Sequence, residues 1–253
     1  MKGCTISAWV LLLGLLIPAA APAGPYAPAA GVEGSTAIHM DDESFVGWAT
    51  GWENYIPGSD VSASWQDATL ALGPAVGGSN DIVSLGRGGS ITMTFATPIT
   101  DGSGWDFAIF ENGFSDTFLE LAYVEVSSNG VDFFRFDNDS LTGGSVGAFG
   151  SVDPTDINGY GGKYKQGYGT PFDMADLGIS NVGYVRLVDI VGDGTYLDTT
   201  GDVIYDAYPT SGSAGFDLDA VGVIHASPVP LPGAVWLLGS GLLGLVAARK
   251  KRV

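Results

Sequence analysis

The chain has 253 residues, 45% of them hydrophobic and 15% charged, with 39 glycines and 13 prolines. The glycines have no three-residue period, which excludes collagen, and 6 Trp, 10 Tyr and 12 Phe exclude wholesale disorder. Lys2, Arg249, Lys250, Lys251 and Arg252 lie at the two ends, so residues 24–226 carry 5 basic against 28 acidic side chains, a formal net of −23 that excludes nucleic acid as a partner and favours cations.

The first segment reads Met1, Lys2, an apolar stretch from Ala8 to Ile17, Pro18, and small residues from Ala19 to Ala23. One positive charge, a short apolar run and Ala-x-Ala sites predict a secretory signal peptide over 1–23. The only cysteine, Cys4, lies ahead of the apolar run, so cleavage leaves no disulfide framework, thiolate or cysteine metal site. Any staple beyond the core must be of another kind.

Short alternating segments follow: Asp81 to Leu85, Ser90 to Phe95, Asp106 to Glu111, Ala122 to Ser127, Phe133 to Phe136, Tyr184 to Val188 and Phe216 to Ile224. Each is rich in Val, Ile, Phe, Tyr and Thr and bounded by turn residues, which predicts an all-β fold with one β-sandwich over 24–226. Ile91, Met93 and Phe95 share one strand face and are expected on the core. Asn129-Gly130 between Val124–Ser128 and Val131–Phe134 predicts a tight primed hairpin. Residues 139–173, with nine glycines, read as a long surface excursion whose Tyr160, Tyr164 and Tyr168 are candidate ligand contacts.

Tyr123 to Phe133 resembles the strand-turn-strand of discoidin-type modules, and Val182 to Leu187 their later Tyr-Val-Arg strand. Gly215 to Val221 is similar to the closing strand of carbohydrate-binding jelly rolls. Together these resemblances imply a galactose-binding-like jelly roll. In such jelly rolls an Asp of the closing strand often serves a structural calcium.

Calcium is the expected cofactor on chemical grounds too, because hard oxygen donors abound. Glu111-Asn112 and Asp189 end strands, and Asp217 and Asp219 share a face of a regular strand, giving Glu111, Asn112, Asp189, Asp217 and Asp219 as candidate ligands. Asp193, Asp198 and Asp202, and Asp137-Asn138-Asp139, match no metal motif. Trp48, Trp52, Tyr55, Trp65 and Trp105 read as core or sugar-stacking residues. No enzyme is expected. Gly143 to Gly147 spells Gly-x-Ser-x-Gly without the strand and helix of a nucleophile elbow, and His39 and His225 belong to no zinc cluster. A carboxylate pair among Glu111, Glu120 and Glu125 keeps a glycan hydrolase open as an alternative, beside a purely structural surface protein.

The C-terminus has three parts: Pro230-Leu231-Pro232, 18 uncharged residues from Leu231 to Ala248, and Arg249-Lys250-Lys251-Arg252. The apolar run is long enough for a transmembrane helix, and the basic cluster is expected to hold its end in the cytoplasm. This tail resembles the PEP-CTERM sorting signal of Gram-negative bacteria that make exopolysaccharide, with Leu231 where the name-giving Glu stands. The resemblance implies an exosortase-type transpeptidase as partner. It further implies export through the inner membrane, a transient anchor, and release to the cell surface or matrix, where polysaccharide is the expected ligand.

Overall fold

The computed structural model describes residues 24–227. The expected signal peptide, and the tail with Pro230, Leu231, Pro232, the expected transmembrane helix and Arg249, Lys250, Lys251 and Arg252, lie outside the described residues. Two six-stranded antiparallel sheets share one apolar core, the layering of a β-sandwich. One sheet runs Ile38–His39, Tyr168–Phe172, Phe107–Glu111, Asp217–Val223 and Gly47–Trp48, with Val83–Ser84 also on Asp217–Val223. The other runs Tyr160–Gly161, Ala122–Ser127, Asn181–Asp189, Ser90–Thr100 and Gly51–Ile56, with Phe134–Arg135 also on Ala122–Ser127. Among the described residues no helix is long and apolar enough to cross a membrane.

The alternation in Ser90–Thr100 is met in part: Ile91 and Met93 are buried in the core and Phe95 packs on its margin, but Thr92 between them is buried as well. Val124, Val126, Val185 and Leu187 join them from the same sheet, and Ile109, Leu218 and Val221 from the other. Phe107–Glu111, Ala122–Ser127 and Asp217–Val223 are buried at every position, because their outward faces are covered as well. Phe45, Trp48 and Met40 lie over Ala108, Phe110 and Ala220, while Tyr123 and Tyr160 belong to a second cluster with Leu121, Ile157, Ile190 and Ile204. Cover on both faces makes these strands read as nearly continuous apolar runs.

Two local expectations are corrected. Residues 139–173 are part of the body, supplying Tyr160–Gly161 to the edge of one sheet and Tyr168–Phe172 to the other. Gly161 permits this close approach, since a Cβ there would meet Phe216 at 3.2 Å. The 129–130 turn is not a primed two-residue hairpin: Gly130 has φ 73°, but Asn129 is not among the positive-φ residues, and that turn needs both. Asn129 Oδ1 instead accepts the N–H groups of Val131 and Asp132, at 2.9 Å each, and the Ser127 hydroxyl accepts that of Gly130 at 3.0 Å. The far end of the described chain is fixed to the sandwich by an Ile99–Ala226 bridge and by Ser227 N–H on the Pro98 carbonyl at 3.1 Å.

Candidate functional site

The expected metal ligands divide into two groups. Asp189 and Asp219 are buried and already engaged by backbone. Asp189 accepts Phe216 N–H at 2.7 Å and Gly88 N–H at 3.0 Å, and Asp219 accepts Val76 and Gly77 N–H at 3.0 and 2.8 Å. Gly215, at φ 64°, lets the chain pass the Asp189 carboxylate, because a Cβ there would lie 2.3 Å from Oδ1. These two side chains tie loops to strands, the work that a disulfide would do, and the described residues hold no cysteine. The structure does not bring them into one site with Glu111 and Asp217.

Glu111, Asn112 and Asp217 do converge. Glu111 stands opposite Leu218 in one ladder, and Asp217 stands opposite Ser84 in the next, so three adjacent strands place Glu111, Asp217 and Ser84 together. Glu111 Oε2 accepts Gly113 N–H at 2.6 Å. Its other oxygen, Asp217 Oδ1 and Ser84 Oγ are buried without a hydrogen-bond partner. Ser84, Ser213 and Asn112 are near enough to favour the ionised Asp217, yet none bonds Oδ1 with good geometry. Glu120 lies within Coulombic reach of Asp217 and Glu111 and accepts the Thr210 hydroxyl at 2.7 Å.

Burial governs the electrostatics here. It pushes the Asp217 carboxyl up to about 6, against the neighbouring side chains of Ser84, Ser213 and Asn112. Burial first, and then the Asp217 charge, holds both Glu111 and Glu120 well above the usual carboxylate range. Asp206, raised by burial and by Asp189, adds to the repulsion on Glu120. The basic residues between 24 and 226 are engaged elsewhere. Arg135 and Arg186 both clasp Glu125, at 2.8 and 2.5 Å. Lys165 pairs with Asp116 at 2.8 Å, Arg87 with Asp60 at 3.6 Å, and buried Lys163 donates to the Ile157 carbonyl at 2.6 Å.

Asn112, Glu120 and Asp217 open onto a 230 Å³ cleft that also includes Thr210, Ser211 and Ser213. Its rim is aromatic. Phe114, Phe118 and Phe149 stack in series, with ring centroids 4.4 and 6.0 Å apart, and Phe149 is 80% exposed. Phe118 is buried, so the rings open to solvent are Phe114 and Phe149; beside hydroxyl, amide and carboxylate groups they can hold a sugar ring by its face and its hydroxyls together. Sequence reasoning missed the three phenylalanines. Their signal was local: Gly113-Phe114-Ser115 and Ala148-Phe149-Gly150 set a large aromatic among turn residues with no apolar neighbour to pack on.

The expected tyrosine surface is corrected. Tyr160 and Tyr164 are buried, at 0% and 2% exposure, and Lys163 between them is buried too, its pKa pushed down to about 8 by that burial. Only Tyr168 remains partly open, edge-on to His39. The tryptophans form no single platform: Trp48 packs on Phe45 and Phe110, Trp52 meets Tyr55, and Trp105 lines a separate cavity beside Phe136.

Two other acidic groups bring their carboxylates close together, and beside one of them Asn138 Oδ1 and Ser140 Oγ are buried without a hydrogen-bond partner. Asp139, Asp198 and Asp202 have oxygens within 4.8 Å of one another, yet Asp198 accepts the N–H groups of Ser140, Thr200 and Asp202, which keep it ionised against burial. Asp106, near Asp101 and Asp173, accepts Gly102 and Met174 N–H and contacts His225 Nδ1 at 2.9 Å. Beside it a 680 Å³ groove runs between Trp48 and Ser227. That groove is larger than the acidic cleft, but its wall is mainly apolar and presents no orphaned buried polar atom.

No curated protein matches the chain. Residues 228–252 match the PEP-CTERM protein-sorting motif. The chain thus ends in a sorting signal of the kind that exosortases recognise, and it is an exported protein directed to the cell surface.

Proposed function

We propose that the sandwich is a calcium-dependent polysaccharide-binding module, with the galactose-binding-like jelly roll as its topology, delivered to the surface or matrix of a Gram-negative bacterium by exosortase processing. The observation that carries the binding role is the cleft between the Phe114–Phe118–Phe149 rim and the floor of Asn112, Glu120, Thr210 and Asp217. Aromatic faces supply contact area at low entropic cost, and the floor supplies hydroxyl-directed hydrogen bonds. The basic cluster and apolar run of the tail support a transient membrane anchor before processing.

The test is retention of the full chain, in detergent, on a polysaccharide panel that includes exopolysaccharide of its own host, with calcium and again with EDTA. Selective retention lost with EDTA and weakened by Phe114→Ala and Phe149→Ala is expected. No retention in either condition leaves a structural surface protein. Glycan turnover abolished by Glu120→Gln would replace binding with hydrolysis, the reading that the raised carboxyls of Glu111 and Glu120 favour second. For sorting, deletion of Pro230 to Val253 is expected to move the chain to the soluble periplasmic fraction, and surface display unchanged by that deletion would overturn the exosortase route.

A further inference from the structure

We infer that Asp139, Asp198 and Asp202, with Ser140, form a site for a divalent cation that clasps the hairpin of residues 193–205 to the short strand Asp139–Ser140. Both pieces lie outside the two six-stranded sheets, and the site shares no residue with the acidic cleft, so it goes beyond the polysaccharide reading and does not rest on it.

Three observations carry it. First, the fold joins two stretches that match no metal motif alone. Asp139–Ser140 pairs with Ile157–Asn158, and Asp193–Leu197 pairs with Val203–Tyr205, in two small sheets of their own. Thr199 N–H donates to the Asn138 carbonyl at 3.1 Å, and Asn138 N–H donates to the Thr199 hydroxyl at 2.9 Å. With the pieces held so, oxygens of Asp139, Asp198 and Asp202 lie within 4.8 Å of one another. Second, buried oxygens without a hydrogen-bond partner surround these carboxylates: Asn138 Oδ1, Ser140 Oγ and Tyr160 Oη, on residues at most 4% exposed. Ser140 gives its N–H to Asp198 Oδ2 at 2.9 Å and lines one groove with Asp202, which sets its hydroxyl beside both. Burial, and then the charges of Asp198, Tyr123 and Asp139, holds the Tyr160 phenol well above its ordinary range, so that hydroxyl also faces the group. Buried polar atoms are ordinarily paired, and orphans around three carboxylates mark the place of a cation. Third, the protein supplies no positive charge of its own here. The ion pairs among the described residues go to Asp41, Asp60, Asp106, Asp116 and Glu125.

The hydrogen bonds leave room for an ion. Asp198 Oδ1 collects the N–H groups of Thr200 and Asp202, at 2.9 and 2.8 Å, while Oδ2 takes only that of Ser140. Asp139 accepts the Tyr26 hydroxyl through Oδ2, and Asp202 accepts the Thr200 hydroxyl at 3.3 Å. Each carboxylate thus keeps bonding capacity to spare. Oxygen donors without nitrogen or sulfur suit a hard cation, and a set drawn from a strand and a turn suits calcium's irregular coordination better than the strict octahedron of magnesium. Asp202 is exposed and borders a groove of 390 Å³, which gives the ion an entry and room for water ligands.

The experiment is intrinsic-fluorescence melting of the EDTA-stripped full chain in detergent, with calcium alone as the added probe. Calcium at about a hundred times its Kd is expected to raise Tm by about 5–10 °C. Asp202→Asn and Asp139→Asn should each weaken calcium by about tenfold or more, read from the calcium concentration at which Tm rises. Glu111→Gln, in the acidic cleft, should leave that concentration unchanged. No calcium shift in the wild type, undiminished affinity in Asp202→Asn, or a loss confined to Glu111→Gln overturns the site. Should Asp139→Asn not fold, Asp202→Asn decides alone, since its side chain is exposed and accepts only the one long hydroxyl bond. Polysaccharide retention plays no part in these readings, so loss of the glycan leaves the site standing, and loss of the site leaves the glycan.

Discussion

Asp189 and Asp219 are buried as deeply as Glu111 and Asp217, on strands of the same sandwich, but the two pairs serve different ends. The first pair meets backbone N–H groups from loops remote in sequence and fixes those loops in place. In the second pair Glu111 also accepts Gly113 N–H and lies near the N–H groups of Asn112 and Asp217, yet one oxygen of Glu111 and one of Asp217 have no hydrogen-bond partner. Burial of an acidic residue thus says little about its role until its partners are counted. A saturated carboxylate is architecture, and one with an unpaired oxygen keeps bonding capacity to spare.

The comparison is broken most forcefully at Asp189. Asp189→Ala leaves the Gly88 and Phe216 N–H groups unpaired, an expected cost of about 3 kcal/mol, or roughly 6–12 °C in Tm, the same with calcium as with EDTA. A calcium-dependent loss would move Asp189 into the other group. Next comes pH. Folding raises the pKa of Asp217 to about 6 and those of Glu111 and Glu120 well above their usual range, amid Asp189 and Asp206. The folded chain therefore holds protons that the unfolded chain has lost, and in EDTA its stability falls as pH rises from about 4 through 6 and beyond. Denaturant melts across that range check the sign, and Asp217→Asn should make the decline shallower.

Glu125 sharpens the contrast from a third side, since it is the buried carboxylate with protein cations of its own. Glu125→Gln is expected to cost about 1–2 kcal/mol, because both arginines are partly solvated and keep their stacking on Tyr123 and Phe133. Urea melts should show this loss unchanged by calcium. The smallest stability effect belongs to Phe149→Ala, within about 0.5 kcal/mol of wild type. Affinity electrophoresis is expected to show its glycan binding weakened about three- to tenfold.

Much of the β fold was legible in short Val/Ile/Phe/Thr-rich segments such as Ser90–Phe95, whose alternation points Ile91 and Met93 to the core although Thr92 is buried too. It was illegible in residues 139–173, where glycines read as loop although Gly161 and Gly169 pack the chain against Phe216 and Phe110. The site was half legible. Asp217 and Glu111 stood out as carboxylates at strand ends, but their separation from Asp219 and Asp189 depends on which backbone N–H groups fold back to meet each one, and no spacing encodes that. The irregularity between Leu218 and Ala220 also defeats the simple rule that Asp217 and Asp219 share a face. Ser84 faces Asp217 and Phe149 meets Phe118 from far along the chain, which no local pattern records.

The fastening of Ala226 and Ser227 to Ile99 and Pro98 sets a clearance. Only Pro228 and Val229 separate that anchor point from Pro230, and the three residue steps from Ser227 to Pro230 reach about 11 Å at most. An exosortase that recognises the tail therefore meets its motif within that reach of the fastened end, so the surface around Ile99 and Pro98 borders what the enzyme approaches.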